Sequence, residues 1–165
     1  MFLNDKLNIT TPSDNELEWT REFNASCNLV FDALSKPELI RLWLCGPDGW
    51  TMPVCEVDFQ VGGKYRYVWS NPENDEMGMG GIFKEIILLE KIVSTERFEQ
   101  SWYPGESIGT VTLSGNDSKT ILKTNMLYES KESRDAVLKS GMEQGLVDGY
   151  NRLVEVLASN VRGVI

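Results

Sequence analysis

The stretch 140-SGMEQGLVDGYNRLVEVL-157 guides the interpretation of the whole sequence. Ser140 and Glu143 have the spacing of a capping box, which predicts that a helix begins there. The large apolar residues recur at helical spacing and form one stripe, made of Met142, Leu146, Tyr150, Leu153 and Leu157. A single long amphipathic helix needs an apolar surface to cover, so the preceding sequence has to supply that surface.

The sequence before this helix alternates between apolar and polar residues, which predicts strands. One strand is predicted early in the chain, and two short helices that begin near Ser26 and Pro37 follow it. Six further strands come before the long helix. The predicted strands are residues 17–23, 54–61, 64–70, 81–89, 92–102, 108–114 and 120–128. We therefore expect an α+β fold, in which a curved antiparallel sheet wraps around the C-terminal helix and leaves a cavity between them.

Length and composition indicate one domain. The chain has 165 residues, of which 41% are hydrophobic and 25% are charged, as is usual for a globular domain. We interpret residues 1–15 as a flexible N-terminal lead-in and residues 16–160 as a single domain. No stretch is apolar enough for a membrane span, and the N-terminus lacks the charged and apolar regions of a secretory signal. We therefore expect a cytoplasmic protein.

Residue usage excludes several classes of function. The chain has no histidine, which excludes histidine-dependent catalysis and imidazole metal sites. Its net charge of −9 and the lack of a basic stripe argue against nucleic-acid binding. Cys27, Cys45 and Cys55 are odd in number and form no C-x-x-C pair, so we expect reduced cysteines and neither a disulfide framework nor a metal. No cofactor is indicated.

An ordered set of motifs carries a family resemblance. The motifs are REFNAS at 21–26, VFDA at 30–33, KPEL at 36–39, MPVCEVD at 52–58, VGGKYRY at 61–67, GIFKEI at 81–86, IVSTERF at 92–98, SKESRDAVL at 130–138 and SGMEQG at 140–145. Together with Trp43 they resemble the domain named after the activator of heat-shock-protein-90 ATPase. That domain is a branch of the SRPBCC superfamily, which includes START, birch-pollen-allergen and polyketide-cyclase proteins. The resemblance spans residues 17–158.

The resemblance implies a helix-grip fold with a hydrophobic ligand cavity. This chain departs from the family at Leu44 and Cys45, where a second tryptophan and a glycine often stand. It also departs at Leu146, where many relatives have tryptophan. Both departures affect expected walls of the cavity.

Hairpin geometry predicts which strand residues face inward. Gly62 and Gly63 predict a tight turn that places Phe59 opposite Arg66. Because opposed residues share a face, one face then holds Val57, Phe59, Val61, Arg66 and Val68, and the other holds Glu56, Asp58, Gln60, Tyr65, Tyr67 and Trp69. The first face is more aliphatic and is therefore the predicted inner face, although a one-residue bulge would invert the assignment.

The last hairpin is treated in the same way. A turn over residues 115–118 predicts a register in which Leu113 lies opposite Thr120. The inner face of this hairpin then holds Val111, Leu113, Leu122, Thr124 and Met126. Trp43 and Trp50 flank the loop at 46–49 and are placed at the mouth. The resulting candidate pocket residues are Trp43, Trp50, Phe59, Arg66, Val68, Val111, Leu122, Met126, Met142, Leu146 and Tyr150. Ordinary core packing is the alternative for most of them.

An inward Arg66 would require an anion, because a buried guanidinium without a partner is very costly. The partner is either an internal carboxylate, with Glu85 or Glu96 the nearest by strand order, or the acidic or carbonyl end of a ligand. Glu56, Asp58, Glu85, Glu96 and Glu99 are also candidate acids or bases, and solvated strand positions are the alternative for all five.

The leading interpretation is a protein that binds a small hydrophobic or amphipathic molecule in its interior, with no catalytic residues assigned. A chaperone-interacting co-factor is the first alternative. A cyclase- or hydrolase-like enzyme that uses Arg66, Tyr150 and an inward carboxylate is the second. We also predict a homodimer, because Tyr65, Tyr67 and Trp69 are placed on the outer face and would need covering.

Overall fold

The computed structural model describes residues 6–161, so residues 1–5 of the predicted lead-in lie outside it. Eight antiparallel strands form one sheet in the order β1-β2-β8-β7-β6-β5-β4-β3. The strands are β1 Asn8–Thr10, β2 Glu16–Phe23, β3 Thr51–Val57, β4 Lys64–Ser70, β5 Glu76–Ile87, β6 Lys91–Phe98, β7 Ser107–Gly115 and β8 Thr120–Leu127. The helices are α1 Cys27–Ser35, α2 Pro37–Trp43, α3 Lys131–Leu138 and α4 Met142–Val161.

The expected α+β helix-grip fold is confirmed, with two additions. Strand β1 pairs with β2 through Ile9 opposite Trp19, inside a segment whose polar composition predicted only a loose lead-in. The segment after β8 forms the separate helix α3, at whose start the Ser130 hydroxyl accepts a hydrogen bond from the Ser133 N–H. Both additions extend the predicted order without changing it.

The start of α4 differs from the predicted capping box. The Ser140 hydroxyl donates to the carbonyl of Val137, at the end of α3, and α4 begins at Met142. Among the described residues, no hydrogen bond joins the Ser140 hydroxyl to the Glu143 N–H, so the predicted capping box is not formed. Further along, Leu153 is fully buried, so this part of α4 holds the helix against the core.

The first hairpin has a different register from the predicted one. Glu56, rather than Phe59, lies opposite Arg66. The reason is that the two glycines bond to β5 instead of forming a tight turn. The Gly62 N–H donates to the Phe83 carbonyl, and the Phe83 N–H donates to the Gly63 carbonyl. The connection is therefore longer than two residues. A displacement of three positions is odd and exchanges the two faces of the strand.

The exchange places Tyr65, Tyr67 and Trp69 inside, at 7%, 9% and 8% exposure. The predicted inner face of this hairpin is therefore wrong. The homodimer prediction also loses its basis, because the aromatic residues thought to need covering are already buried by the chain itself.

The last hairpin keeps its predicted faces although its register also differs. Gly115, rather than Leu113, lies opposite Thr120, and Leu113 lies opposite Leu122. The Asn116 side chain accepts hydrogen bonds from the N–H groups of Ser118 and Lys119, which moves the turn toward residues 116–119. A displacement of two positions preserves the alternation, so Leu122 remains buried in the core.

Candidate functional site

A cavity of about 420 Å³ is lined by the inner face of the sheet, the two short helices near the N-terminus and α4. Most of the lining is aliphatic or aromatic. Trp102, Ser140 and Gly145 are its exposed lining residues and mark where the cavity reaches the surface. Volumes of this size are typical of small-molecule sites in proteins.

The helix wall of the cavity consists of the lining residues of α4, Met142, Gly145, Leu146 and Tyr150. The Tyr150 ring stacks on Trp43, with centroids 5.9 Å apart and an interplanar angle of 26°. Its hydroxyl accepts a hydrogen bond of 2.9 Å from Trp19 Nε1. These contacts fix Tyr150, whereas Met142 and Leu146 are only half-buried.

Two glycines of α4 have different surroundings. A Cβ at Gly149 would lie 3.6 Å from the Trp43 carbonyl oxygen, an ordinary contact distance, so α4 lies against the end of α2 here but the position does not require glycine. A Cβ at Gly145 would meet nothing within 4 Å. Gly145 therefore leaves room at the cavity, and no backbone contact requires it.

The sheet wall contains Glu96, a carboxylate in mostly apolar surroundings. Alternate residues of β6 line the cavity, namely Ile92, Ser94, Glu96 and Phe98. Burial raises the pKa of Glu96 to about 7. Within the part of the chain that the structure describes, its carboxylate has no hydrogen-bond donor and no cation as partner.

Four tyrosines of the sheet wall lie within electrostatic reach of this carboxylate: Tyr65, Tyr67, Tyr103 and Tyr128. Burial, and in addition the negative charge of Glu96, raises the pKa of each phenol; that of Tyr103 reaches about 12. All four therefore keep their protons at neutral pH.

The four phenols differ in their hydrogen bonds. Tyr65 donates to the Thr95 carbonyl at 2.6 Å, and the Tyr103 hydroxyl lies 3.4 Å from the Ser107 hydroxyl. The hydroxyls of Tyr67 and Tyr128 have no hydrogen-bond partner among residues 6–161, although the residues are only 9% and 4% exposed. Both line the cavity. Two phenols and one carboxylate thus present unused polar atoms to the interior.

The structure brings seven of the eleven sequence-predicted pocket residues to the cavity. They are Trp43, Val111, Leu122, Met126, Met142, Leu146 and Tyr150. Contact with the cavity does not test ligand binding, so their role in binding stays a prediction.

The other four predicted residues do not line it. Trp50 packs against Gly46 so closely that a Cβ at Gly46 would lie 3.1 Å from the Trp50 Cβ. Phe59 makes edge-to-face ring contacts with Phe31 and Phe83, at centroid distances of 5.7 and 5.2 Å. Val68 lies on the outer face of β4, opposite Val54.

Arg66 is the clearest correction. Its side chain is half exposed and forms an ion pair with Glu99 at 3.0 Å, on the outer face of the sheet. The three-residue register difference accounts for this position. The described residues include two buried arginines, Arg21 and Arg134. Arg21 donates to Asn151 of α4 at 3.0 Å and lies 5.4 Å from the Phe23 ring centroid. An enzyme that uses Arg66 inside the cavity is therefore ruled out.

Sequence reasoning named Glu96, together with Glu85, as a possible internal partner of an inward Arg66 and as one of several candidate acids or bases, but did not place it in the cavity from its own strand pattern. A usable signal was present, because Glu96 shares the alternation of Ile92 and Phe98 and so belongs to the inner face of β6.

Three of the four tyrosines were missed for two reasons: Tyr65 and Tyr67 followed the wrong register, and Tyr103 lies in a loop, where no strand pattern applies. Tyr128 was overlooked although it continues the alternation of Leu122, Thr124 and Met126.

Two findings concern other kinds of site. The described residues contain no group of three or more cysteines, aspartates and glutamates placed to hold a metal ion. None of the helices in the described part combines the length and apolarity that crossing a membrane requires.

Comparison with known proteins places the chain in a family. The family model of the activator of Hsp90 ATPase homolog 1-like proteins matches residues 24–158. The chain belongs to this family. It is thereby a member of the SRPBCC superfamily, as the sequence motifs predicted. No curated protein matches the chain significantly.

Solved structures of family-like proteins have the same fold. A protein of Rhodobacter sphaeroides is 30% identical, with a TM-score of 0.88, over 94% of this chain and 99% of the other. A protein of Nitrosomonas europaea is 22% identical, with a TM-score of 0.80, over 92% and 99% of the two chains. A Plasmodium falciparum protein described as an HSP90 activator is 22% identical, with a TM-score of 0.62, over 86% and 96%.

Proposed function

We propose that this family member binds a small, mostly apolar molecule inside the cavity. The observation that carries the proposal is a cavity of about 420 Å³ whose lining is mostly apolar but holds the unused polar atoms of Glu96, Tyr67 and Tyr128. An apolar wall with a few convergent polar groups is the usual composition of a ligand site, since the wall supplies affinity and the polar groups supply orientation.

The helix wall supports this proposal. Leu146 and Met142 are half-buried, whereas residues further along α4, such as Leu153, are fully buried. The apolar side chains at the cavity therefore have surface left for a ligand to cover. Each buried CH₂ group of a ligand contributes about 0.8 kcal/mol of transfer free energy, before the cost of association.

Two measurements test the proposal. Native mass spectrometry of the purified protein should show a bound small molecule. After that molecule has been removed, the neutral fluorescent probe N-phenyl-1-naphthylamine should bind to the empty protein. Leu146→Trp should weaken probe binding, because the larger side chain occupies part of the cavity. Val154→Trp is the matched control, since Val154 lies on the same helix but is 44% exposed. Absence of both adduct and probe binding in the wild type would contradict the proposal.

A chaperone co-factor role is a second candidate, because the family description names an activator of the Hsp90 ATPase. The Plasmodium falciparum protein of the same fold carries that description too. The discriminating experiment measures the ATPase rate of an Hsp90-class chaperone with wild-type protein and with Leu146→Trp. Equal stimulation by both would separate this role from the cavity, and no stimulation by the wild type would dismiss the role.

A further inference from the structure

We propose that the ligand ends in a protonated amine, and that Glu96, Tyr67 and Tyr128 bind this ammonium group inside the cavity. The inference rests on the proposed function and specifies the chemical class of the ligand. It is opposite in sign to the acidic ligand end that an inward Arg66 would have required.

The first argument is charge. Glu96 lines the cavity, whereas none of the lysines and arginines of the described residues does so. Glu96 is half-buried, and a carboxylate with restricted access to water is destabilised unless a cation or several donors meet it. Arg97, the next residue along β6, lies on the opposite face of the strand from Glu96, and its Nε is 4.0 Å from Glu106 Oε2. The missing positive charge at Glu96 is therefore best supplied by the ligand.

The second argument is the number of acceptors. A primary ammonium group has three N–H donors and no acceptor. The cavity offers three oxygen sites without partners among the described residues: the Glu96 carboxylate and the hydroxyls of Tyr67 and Tyr128. A carboxylate ligand would instead meet repulsion from Glu96, and an alcohol has only one donor for the three sites.

The third argument is the aromatic surroundings. Tyr65 and Tyr67 have ring centroids 5.1 Å apart, and Tyr103 and Tyr128 have centroids 5.6 Å apart. All four lie within electrostatic reach of Glu96. Aromatic faces attract cations, most strongly where water is excluded. The same rings that make burial of a lone carboxylate costly thus favour a cation beside it.

Protonation of Glu96 gives this binding a pH dependence. The titratable groups that face it are Tyr65 and Tyr67 from β4, Tyr103 from the loop after β6, and Tyr128 after β8. These phenols stay protonated, so Glu96, with its pKa of about 7, is the group that changes charge near neutrality. Because the ammonium needs the ionised carboxylate, its affinity should fall roughly tenfold for each pH unit below 7 and level off above it.

The test uses three probes with one apolar body and different ends: 4-phenylbutylamine, 4-phenylbutan-1-ol and 4-phenylbutanoate. Titration calorimetry at pH 8 should show the amine binding at least about tenfold more tightly than the alcohol, a difference of 1.4 kcal/mol, and the acid binding most weakly. Glu96→Gln should remove the preference for the amine. Glu99→Gln, an exposed carboxylate on the outer face, is the matched control and should leave the order unchanged.

The outcomes separate the two proposals. Equal binding of amine and alcohol, tightest binding of the acid, or a preference that survives Glu96→Gln would overturn the ammonium site while leaving a ligand cavity. Failure of all three probes and of the naphthylamine probe to bind would contradict the cavity function itself. If Glu96→Gln does not fold, the wild-type pH profile decides, and a flat amine affinity between pH 5 and 8 overturns the inference.

Discussion

The helix wall and the sheet wall of the cavity differ in what fixes their inward residues. The helix wall, with Met142, Leu146 and Tyr150, follows a period that the helix's own hydrogen bonds impose. In the sheet wall, a strand residue such as Tyr67 faces inward only because of the register with neighbouring strands. The comparison teaches that a helical face can be read from one segment of sequence, whereas a strand face depends on a distant partner.

The two walls also differ chemically. The helix wall is apolar apart from Tyr150, whose hydroxyl is already engaged by Trp19. The sheet wall carries Glu96 and the unpaired hydroxyls of Tyr67 and Tyr128. An amphipathic ligand would therefore lie with its apolar body toward α4 and its polar end toward β4, β6 and β8.

The largest expected effect concerns the division of α4 into core and cavity wall. Leu153→Ala should lower the free energy of unfolding by about 2–5 kcal/mol, because Leu153 is fully buried and its removal leaves a hole. Leu146→Ala should cost about 1 kcal/mol or less, since Leu146 already borders open space. Urea denaturation of both variants checks this, and equal losses would mean that α4 is core along its whole length.

The next prediction concerns the pH dependence of stability, which Glu96 gives to the sheet wall and which the helix wall lacks. Its pKa of about 7 in the folded protein lies above the ordinary value of 4.5, since burial disfavours the charged form. The folded state therefore holds the proton longer than the unfolded state, and stability falls as pH rises from about 4.5 through 7. The loss is roughly 3 kcal/mol at most.

Replacement by glutamine, which cannot ionise, should remove that loss. Glu96→Gln should thus be more stable than the wild type at pH 8 and similar to it at pH 4.5. Thermal or urea denaturation at the two pH values measures the difference. A wild type whose stability does not fall over this range more than that of Glu96→Gln would show that Glu96 is solvated.

A smaller effect is expected at the entrance, on the helix wall. Gly145→Ala should raise the free energy of unfolding by about 0.5–1 kcal/mol, because alanine is the better helix former and its Cβ meets no atom within 4 Å. Thermal denaturation checks the sign. A destabilised variant would mean that another part of the molecule closes over Gly145 in solution.

The smallest effect is expected outside the cavity, at Arg66. Arg66→Met should leave both the urea midpoint and N-phenyl-1-naphthylamine binding unchanged, because an exposed ion pair such as that with Glu99 contributes little. Loss of stability or of probe binding would indicate that Arg66 faces the cavity, and that Tyr65 and Tyr67 therefore face outward.

The sequence by itself determined the fold class, the helical stripe of α4 and the inner face of the last hairpin. The stripe depends on local spacing, and the hairpin assignment survived because its register error, Leu113 against Gly115 opposite Thr120, is even. The glycine pair that predicted the first turn gave no sign that its N–H and carbonyl groups would bond to Phe83 instead.

Only the tertiary structure decided which polar atoms of the first hairpin reach the cavity. Alternation along β6 already indicated an inward Glu96, but nothing in the sequence of the first hairpin revealed the register that turns Arg66 outward. The odd register difference moved Arg66 to the outer face beside Glu99, and pairing of β6 with both neighbours fixed Glu96 within reach of four phenols. Strand pairing joins segments far apart in the chain, so the chemistry of the sheet wall is set by that pairing.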